Sequence, residues 1–478
     1  MKLSQIPTVV ASPKGSAQEK LDAFLEKRRQ AKRPVADLEV FERELHQMFA
    51  AAEAEAMGEE LERYDVDAPE ILIDGVRHRR VLRCWQTYMT ASGPALVERS
   101  LYSTRQDDER AACPMELRAG VVGGFWTPLA AKQASWAVAH LVPREGAEMF
   151  KLLGGMQPSR SVLDELPKQL SERWEICRTI FEKLLRADEP VPKEAAIVAV
   201  SLDGVMVPMR DGERQAKRQC AAAEEQHLRG PCGYQEVGCG TLTLYDRDGE
   251  RLRTARMARM PEPKKTTLKG TLAEELNAVL RERPDLEVVK IADGARDNWT
   301  FLSKDLPPGH EIVDFYHAAE HLHAALAAAY GDTSLKCQEQ FVKLRHVLRH
   351  EPEGAAKVIR ALTYQRSRHP RSKKIAKELK YFRRNRKRMD YAQMAEQFFP
   401  IGSGVTEAAC KTLATQRMKR SGMRWRHEGG QAILTLRAWA QSERFDRGWS
   451  ILMETYKQEV ALPSKVTPLP RRHSGVSV

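Results

Sequence analysis

The chain has 478 residues, with 77 Lys and Arg against 65 Asp and Glu, a formal net charge of +12 and a pI near 9.2. That length exceeds what one hydrophobic core serves, so two or three domains are expected, and an excess of positive charge gathered from about residue 340 onward points to a polyanionic partner. Mean hydropathy is −0.51 and no run of about 18 apolar residues exists, which excludes a membrane-spanning helix. The opening MKLSQIPTVVASPKGS carries no long apolar stretch of the kind a secretory leader needs, so a cytoplasmic protein is expected.

Residues 1–64 read as a disordered start and then charged helical sequence with apolar residues at three- and four-residue steps, a helical hairpin or coiled-coil-like arm. Residues 65–190 begin with strand-like pieces from Asp67 to about Pro114 and return to helix at LAAKQASWAVAHLV. Within 147–175 a short helix, a Gly154-Gly155 break and a second helix opened by Ser159 or Ser161 have helix-turn-helix proportions. Two packed helices without DNA contact fit the same pattern. ADEPVPKE, at 187–194, is rich in Pro and charge and marks a domain boundary.

Beyond it, AAIVAVSLDG predicts a buried strand, and EVGCGTLTLYD and RLRTARMARM predict a hairpin turning at Asp248-Gly249. Helix, strand, helix and strand then alternate through LKGTLAEELNAVLRERP, LEVVKIADG, ARDNWTFLSKDL and HEIVDFYH, which describes a mixed sheet between helices over 195–325. Residues 326–399 are expected to be an all-α insertion carrying the basic tracts Arg371–Lys374 and Arg383–Arg388. Helices resume at 400–447 after Phe399-Pro400-Ile401-Gly402, and 448–478 form a tail, polar and without packed structure after Leu462. The expected fold class is α+β and multidomain, with a mainly helical N-terminal part.

Eight cysteines lack any repeated CxxC spacing and are read as reduced thiols. Cys220, His227, Cys232 and Cys239 can be drawn as a zinc site, but their gaps are irregular and Cys239 falls in an expected strand, so zinc is not expected.

Asp203-Gly204 and Asp293-Gly294 each follow an apolar strand, which places two carboxylates at neighbouring sheet positions. Paired carboxylates of this kind can share divalent metal ions about 3.5–4 Å apart, the arrangement that serves phosphodiester displacement, and Mg²⁺ suits oxygen ligands. Glu407, in the first turn of a helix beginning near Ser403, is the best third carboxylate. Any one of these acids taken alone fits an ordinary turn acceptor or a helix-dipole partner. Past Glu407, the segment RMKRSGMRWRH offers Arg417, Lys419, Arg420, Arg424 and Arg426 as phosphate contacts and Trp425 as a stacking surface.

The wording of SLDGVMVPMRD, GYQEVGCGTLTLYD, KIADGARDNW, VDFYHAAEHL, GSGVTEAACK and RMKRSGMRW followed by LTLRA resembles the RNase-H-like DDE transposases of insertion sequences, the ISKra type related to Mutator-like transposases, over roughly 195–447. The resemblance implies an RNase-H-like sheet in which Asp203, Asp293 and Glu407 bind two Mg²⁺ or Mn²⁺ ions. It further implies that Asp314 and His317 act beside them, His317 in a catalytic role; as an ordinary residue His317 would simply open a helix. Family members often carry an N-terminal cysteine pair resembling a zinc ribbon, of which only isolated Cys84 and Cys113 stand here. The implied function is cleavage at transposon ends and strand transfer into target DNA by a dimer or larger assembly, in the cytoplasm at the nucleoid, with no membrane. Two alternatives share the fold: a nuclease or resolvase, and a DNA-binding protein that has lost catalysis.

Overall fold

A computed structural model describes residues 16–104, 111–187, 189–210 and 233–463. The chain divides into two compact units, residues 1–170 with 449–478 and residues 171–448.

In the first unit, α1 (Ala17–Gln30) and α2 (Leu38–Arg63) form the hairpin that the apolar steps predict. Ser16 Oγ accepts from Glu19 N at 3.1 Å while the Glu19 carboxylate accepts from Ser16 N at 3.0 Å, a reciprocal cap on α1. The hairpin is not a free arm, because α2 packs on a sheet and buries Leu61 with Tyr88, Ala95 and Val97. That sheet contains β1 (Glu70–Ile73), β2 (Val76–Thr90) and β3 (Gly93–Ser103), with Asp74 and Gly75 both at positive φ in the tight turn between the first two. Four short helices follow: α3 (Pro114–Ala119), α4 (Pro128–His140), α5 (Pro143–Leu153) and α6 (Arg160–Ile176). The last two are the predicted pair, ended at Gly154 by a left-handed residue and opened by Ser159, whose Oγ accepts from Val162 N at 3.4 Å.

In the second unit, α7 (Arg178–Ala187) leads into the Pro-rich stretch expected as a boundary, which lies inside this unit. It is fastened there by Arg444, which donates to the two Glu189 carboxylate oxygens at 2.6 Å and to buried Glu275. The mixed sheet runs in the order β6-β5-β4-β7-β8. The strands β4 (Ile197–Pro208), β5 (Tyr234–Tyr245) and β6 (Arg251–Arg259) are antiparallel, while β7 (Glu287–Ala292) and β8 (His310–Val313) join parallel to β4. The crossovers that parallel pairing demands are α8 (Thr266–Glu282) and α9 (Arg296–Lys304). Gly240 lets α8 approach β5 closely, since a Cβ there would fall 2.6 Å from a Leu272 methyl.

The insertion is all helical: α10 (Phe315–Tyr330), α11 (Leu335–His350), α12 (Gly354–Arg368), α13 (Lys373–Asn385) and α14 (Tyr391–Glu396). It shares one continuous core with the sheet, Leu322, Leu362 and Phe382 packing in the same cluster as Val289 and Ile312. Then comes α15 (Gly404–Ala409), which runs on through a π-helical stretch (Cys410–Thr415) and a last turn (Gln416–Met418), before α16 (His427–Gln441) and α17 (Phe445–Glu454).

One expectation is corrected. The N-terminal part is mainly helical, as expected, and its helices accompany a four-stranded sheet in the order β3-β2-β1-β9. Its fourth strand comes from the supposed tail: β9 (Val460–Ala461) pairs with β1, Leu72 opposite Ala461. Two residues of strand have no periodicity to read, and only a partner edge from the other end of the chain makes them a strand. Residues 464–478 and three members of the drawn zinc set, Cys220, His227 and Cys232, lie outside the described residues.

Candidate acidic site

Asp203 does not end its strand, as the sequence suggests; β4 continues to Pro208, paired with β5 throughout. What ends there is the parallel partner. Ser201 pairs with Ile291, and Asp203 and Asp293 lie two residues beyond each, so they point to the same face of the sheet just where β7 stops. Burial is the main reason the Asp203 carboxyl is held above its ordinary value, and the neighbouring Asp293 charge adds to it, while the Gly204 backbone, His317 and Lys265 pull the other way. Asp293 Oδ1 accepts from Ala295 N at 3.0 Å and from Asn298 Nδ2 at 3.2 Å, which fixes the turn into α9 and leaves the second oxygen without a hydrogen bond among the described residues. Trp299 Nε1 locks the same turn by donating to the Asp293 carbonyl at 2.6 Å.

The face that carries Asp203 is covered by the helix of Glu407. Cys239 lies opposite Asp203 on β5, and it is buried with Cys410, Leu413 and Ala414 of the π-helical stretch. Cys410 Sγ stands 4.0 Å from Asp203 Oδ2. A hydrogen bond with Cys410, then burial, pushes the Cys239 thiol well up. One residue before Glu407, Thr406 Oγ1 meets Thr241 Oγ1 at 2.6 Å. Glu407 itself is exposed and accepts from Ser403 Oγ at 3.3 Å. π-Helical stretches inside helices are frequent at functional sites, and this one begins three residues after Glu407.

Asp314 is fully buried and works at a helix start: its carboxylate accepts from His317 N at 2.8 Å and from Ser403 N. It therefore ties the first turn of α10 to the residue that precedes α15. His317 is half exposed, with Nδ1 3.6 Å from Glu320. Sequence reasoning missed a group behind them. Tyr381 of α13 packs its ring edge against Gly294, its hydroxyl is buried with no hydrogen-bond partner among the described residues, and burial together with Asp293 and Asp314 holds its phenol far up. His321 stacks on that ring at 3.7 Å between centroids and reaches Glu378 Oε2 with Nδ1 at 2.5 Å. Glu378 is 57 residues from His321, and no local pattern joins them.

The basic segment after α15 separates into two kinds of residue. Lys419, Arg420, Arg424 and Arg426 are exposed. Arg417, by contrast, is 2% exposed with its guanidinium 5.4 Å from the Trp425 ring. Trp425 extends the end of β4, donating its backbone N–H to Pro208 at 3.0 Å and accepting from Arg210 N at 2.8 Å, while Nε1 donates to Met418 at 2.9 Å. The sequence offered both as nucleic-acid contacts; as folded, the Arg417 guanidinium is buried toward the Trp425 ring instead of being presented to solvent.

Asp203 and Asp293 form a pair of hard oxygen donors, and Lys265, whose charge acts on Asp203, is engaged with Glu236 at 3.1 Å. That donor set fits a divalent ion such as Mg²⁺ or Mn²⁺. Glu407 lies over the same face, yet among the described residues no three His, Cys, Asp or Glu side chains are grouped closely enough to make a metal site as they stand. No helix of the described residues is long and apolar enough to cross a membrane.

No protein-family profile matches the chain, and no curated protein matches its sequence. Among solved structures, a Drosophila P element transposase strand transfer complex is similar over 70% of this chain and 82% of that one, at 12% identity and a TM-score of 0.25.

Proposed function

We propose that the protein is a metal-dependent DNA transposase, cutting DNA at the ends of an insertion sequence of the ISKra type and joining those ends to target DNA. The observation that carries this reading is the Asp203 and Asp293 pair at the end of β7, two residues beyond the paired Ser201 and Ile291, both part-buried, with the Asp203 carboxyl raised first by desolvation and further by Asp293. The motif wording around both acids and around Glu407 supports it.

In this reading Asp203 and Asp293 hold divalent ions, and Glu407 joins them from the helix pinned at Thr406. Bound there, the ions would lower the pKa of water and stabilise charge on the reacting oxygens. The remaining work falls to the chain. Asp314 ties the starts of α10 and α15 together, and in this reading that tie would bring His317 and Glu407 to the pair. His317, half exposed, would hydrogen-bond the leaving oxygen in this reading. In cleavage a water oxygen bonds to phosphorus as the P–O3′ bond breaks, leaving a 3′-hydroxyl on the element. In transfer that hydroxyl oxygen bonds to a target phosphorus, the target's own P–O3′ bond breaks, and no covalent protein intermediate is needed. Exposed Lys419, Arg420, Arg424 and Arg426 would neutralise phosphates beside the site. Two ends must be held at once, which calls for a dimer or larger assembly on DNA.

The test is to incubate the purified full chain, with Mg²⁺ or Mn²⁺, with DNA spanning the borders of its native locus and a supercoiled target. Nicks at the borders together with covalently joined products support a transposase. Cleavage without joining reassigns the protein as a nuclease or resolvase, and binding with neither leaves only the non-catalytic alternative.

A further inference from the structure

The positive charge of this protein is concentrated in one place. From Lys357 to Met389 there are fourteen Lys and Arg and a single acid, Glu378, a net +13 against +12 for the whole chain, so all other residues together are one charge short of neutral. The structure turns the second half of this stretch into a surface. Every exposed position from 371 to 387 is Lys or Arg, while the apolar positions and Glu378 of α13 are buried. Lys373, Lys377, Lys380 and Arg384 follow one another at steps of four, three and four, which on an α-helix places them within roughly 60° of one face over about 16 Å.

Surface charge runs are ordinarily interleaved with opposite charge; this one is not. Lys373, Lys377 and Lys380 have no hydrogen bond or ion pair among the described residues, and the lone acid is turned inward, Glu378 lying against His321. Four like charges on one face repel one another, which an isolated structural helix gains nothing from. The stripe also has a direction. At its far end Arg384 donates to the carbonyl of Gly294, the residue after Asp293, so the row of cations runs up to the acidic pair.

We infer that the exposed face of α13 is a docking track for the phosphate backbone of duplex DNA, leading the double helix to the Asp203 and Asp293 pair. Its exposed face carries no aromatic side chain, and single strands are gripped by stacking bases on aromatic platforms, so the track fits a duplex read by its phosphates and not by sequence. It is separate from the basic segment at 419–426. The inference rests on the reading of the protein as one that acts on DNA.

The test compares the full chain, the triple variant K373Q/K377Q/K380Q and a control of equal charge, R247Q/R251Q/R281Q. Binding of a labelled 30-base-pair DNA duplex is followed by anisotropy at several KCl concentrations, with an RNA duplex and single-stranded DNA in parallel. The inference expects at least about tenfold weaker duplex DNA binding by the α13 variant, with the log–log salt dependence reduced by about 3, and little change in the control. Equal behaviour of the two variants, with the wild type binding well, overturns the track and leaves the DNA reading standing. A wild type that binds no duplex DNA at low salt overturns both. A loss confined to the RNA duplex or to single strands overturns the choice of duplex DNA.

Discussion

Thr406 and Thr241 stand 165 residues apart in sequence, and their hydroxyls meet at 2.6 Å in the core. The contact fixes the helix of Glu407 to β5, one residue from the acid it positions. Thr406→Val leaves the Thr241 hydroxyl buried and unpaired, and should cost about 1–3 kcal/mol in denaturant unfolding. The double variant Thr241→Val/Thr406→Val should recover part of that loss, because neither partner is then left unsatisfied. Cleavage should fall in the single variant by more than the unfolded fraction explains. Additive losses in the double variant would show that the two hydroxyls do not depend on one another.

At Asp203 the proposed metal-binding role can be separated from stability. Burial and the Asp293 charge raise its carboxyl, so the ionised form works against folding, and below the unfolded-state value that opposition vanishes. Asp203→Asn removes the charge at every pH. The variant should be as stable as the wild type or more so, by up to about 1 kcal/mol, in thermal melts at neutral pH without added metal. A clear loss of stability would show that the charge is structural.

Glu311 supplies a test of opposite sign. Its burial would raise the carboxyl, but hydrogen bonds from Ser303 and Arg388 outweigh burial and hold it below the usual range, Arg388 Nε lying 2.6 Å away. A depressed carboxyl stabilises above its unfolded value, about 4.3 for glutamate, and loses that contribution as pH falls through the folded value. Arg388→Met should therefore cost about 1–2 kcal/mol at neutral pH and progressively less in acid. The Arg388 guanidinium also covers the Trp299 ring at 4.2 Å, so tryptophan fluorescence should report the same change. A cost that does not vary with pH would assign the effect to packing alone.

Behind the acidic pair, Tyr381 and Gly294 are in contact. A Cβ on Gly294 would collide with the Tyr381 ring, so Gly294→Ala should destabilise by about 1–3 kcal/mol. Tyr381→Phe removes a buried hydroxyl that has no partner among the described residues, and should leave the melting temperature unchanged or raise it. A drop in the melting temperature on that substitution would mean the hydroxyl is satisfied in solution.

Much of the second unit was legible because its signals are local. The β5–β6 hairpin turns where Asp248-Gly249 predicts, with Gly249 at φ 80, and the alternation after it builds the mixed sheet in full. Asp203 and Asp293 were found as Asp-Gly pairs, although β4 continues past Asp203, because a strand end set by a neighbour's length leaves no mark in the strand's own sequence. Pairings between distant segments were not legible. Tyr381 with Gly294, His321 with Glu378, and β9 with β1 depend on how helices and edges meet in three dimensions. Arg417 read as surface because Arg is usually exposed, but it is buried with its guanidinium toward the Trp425 ring, a contact between residues eight apart that no local pattern marks.

We propose that Asp203 and Asp293 together carry metal-dependent DNA cleavage. It is tested most directly by measuring Mn²⁺- and Mg²⁺-dependent nicking of DNA spanning the borders of the native locus by the wild type, Asp203→Asn and Asp293→Asn, each checked for folding by its melt. The account predicts nicking by the wild type and a loss of at least about a hundredfold in each folded variant. Equal nicking by all three proteins, or none by a folded wild type with either metal, would contradict it.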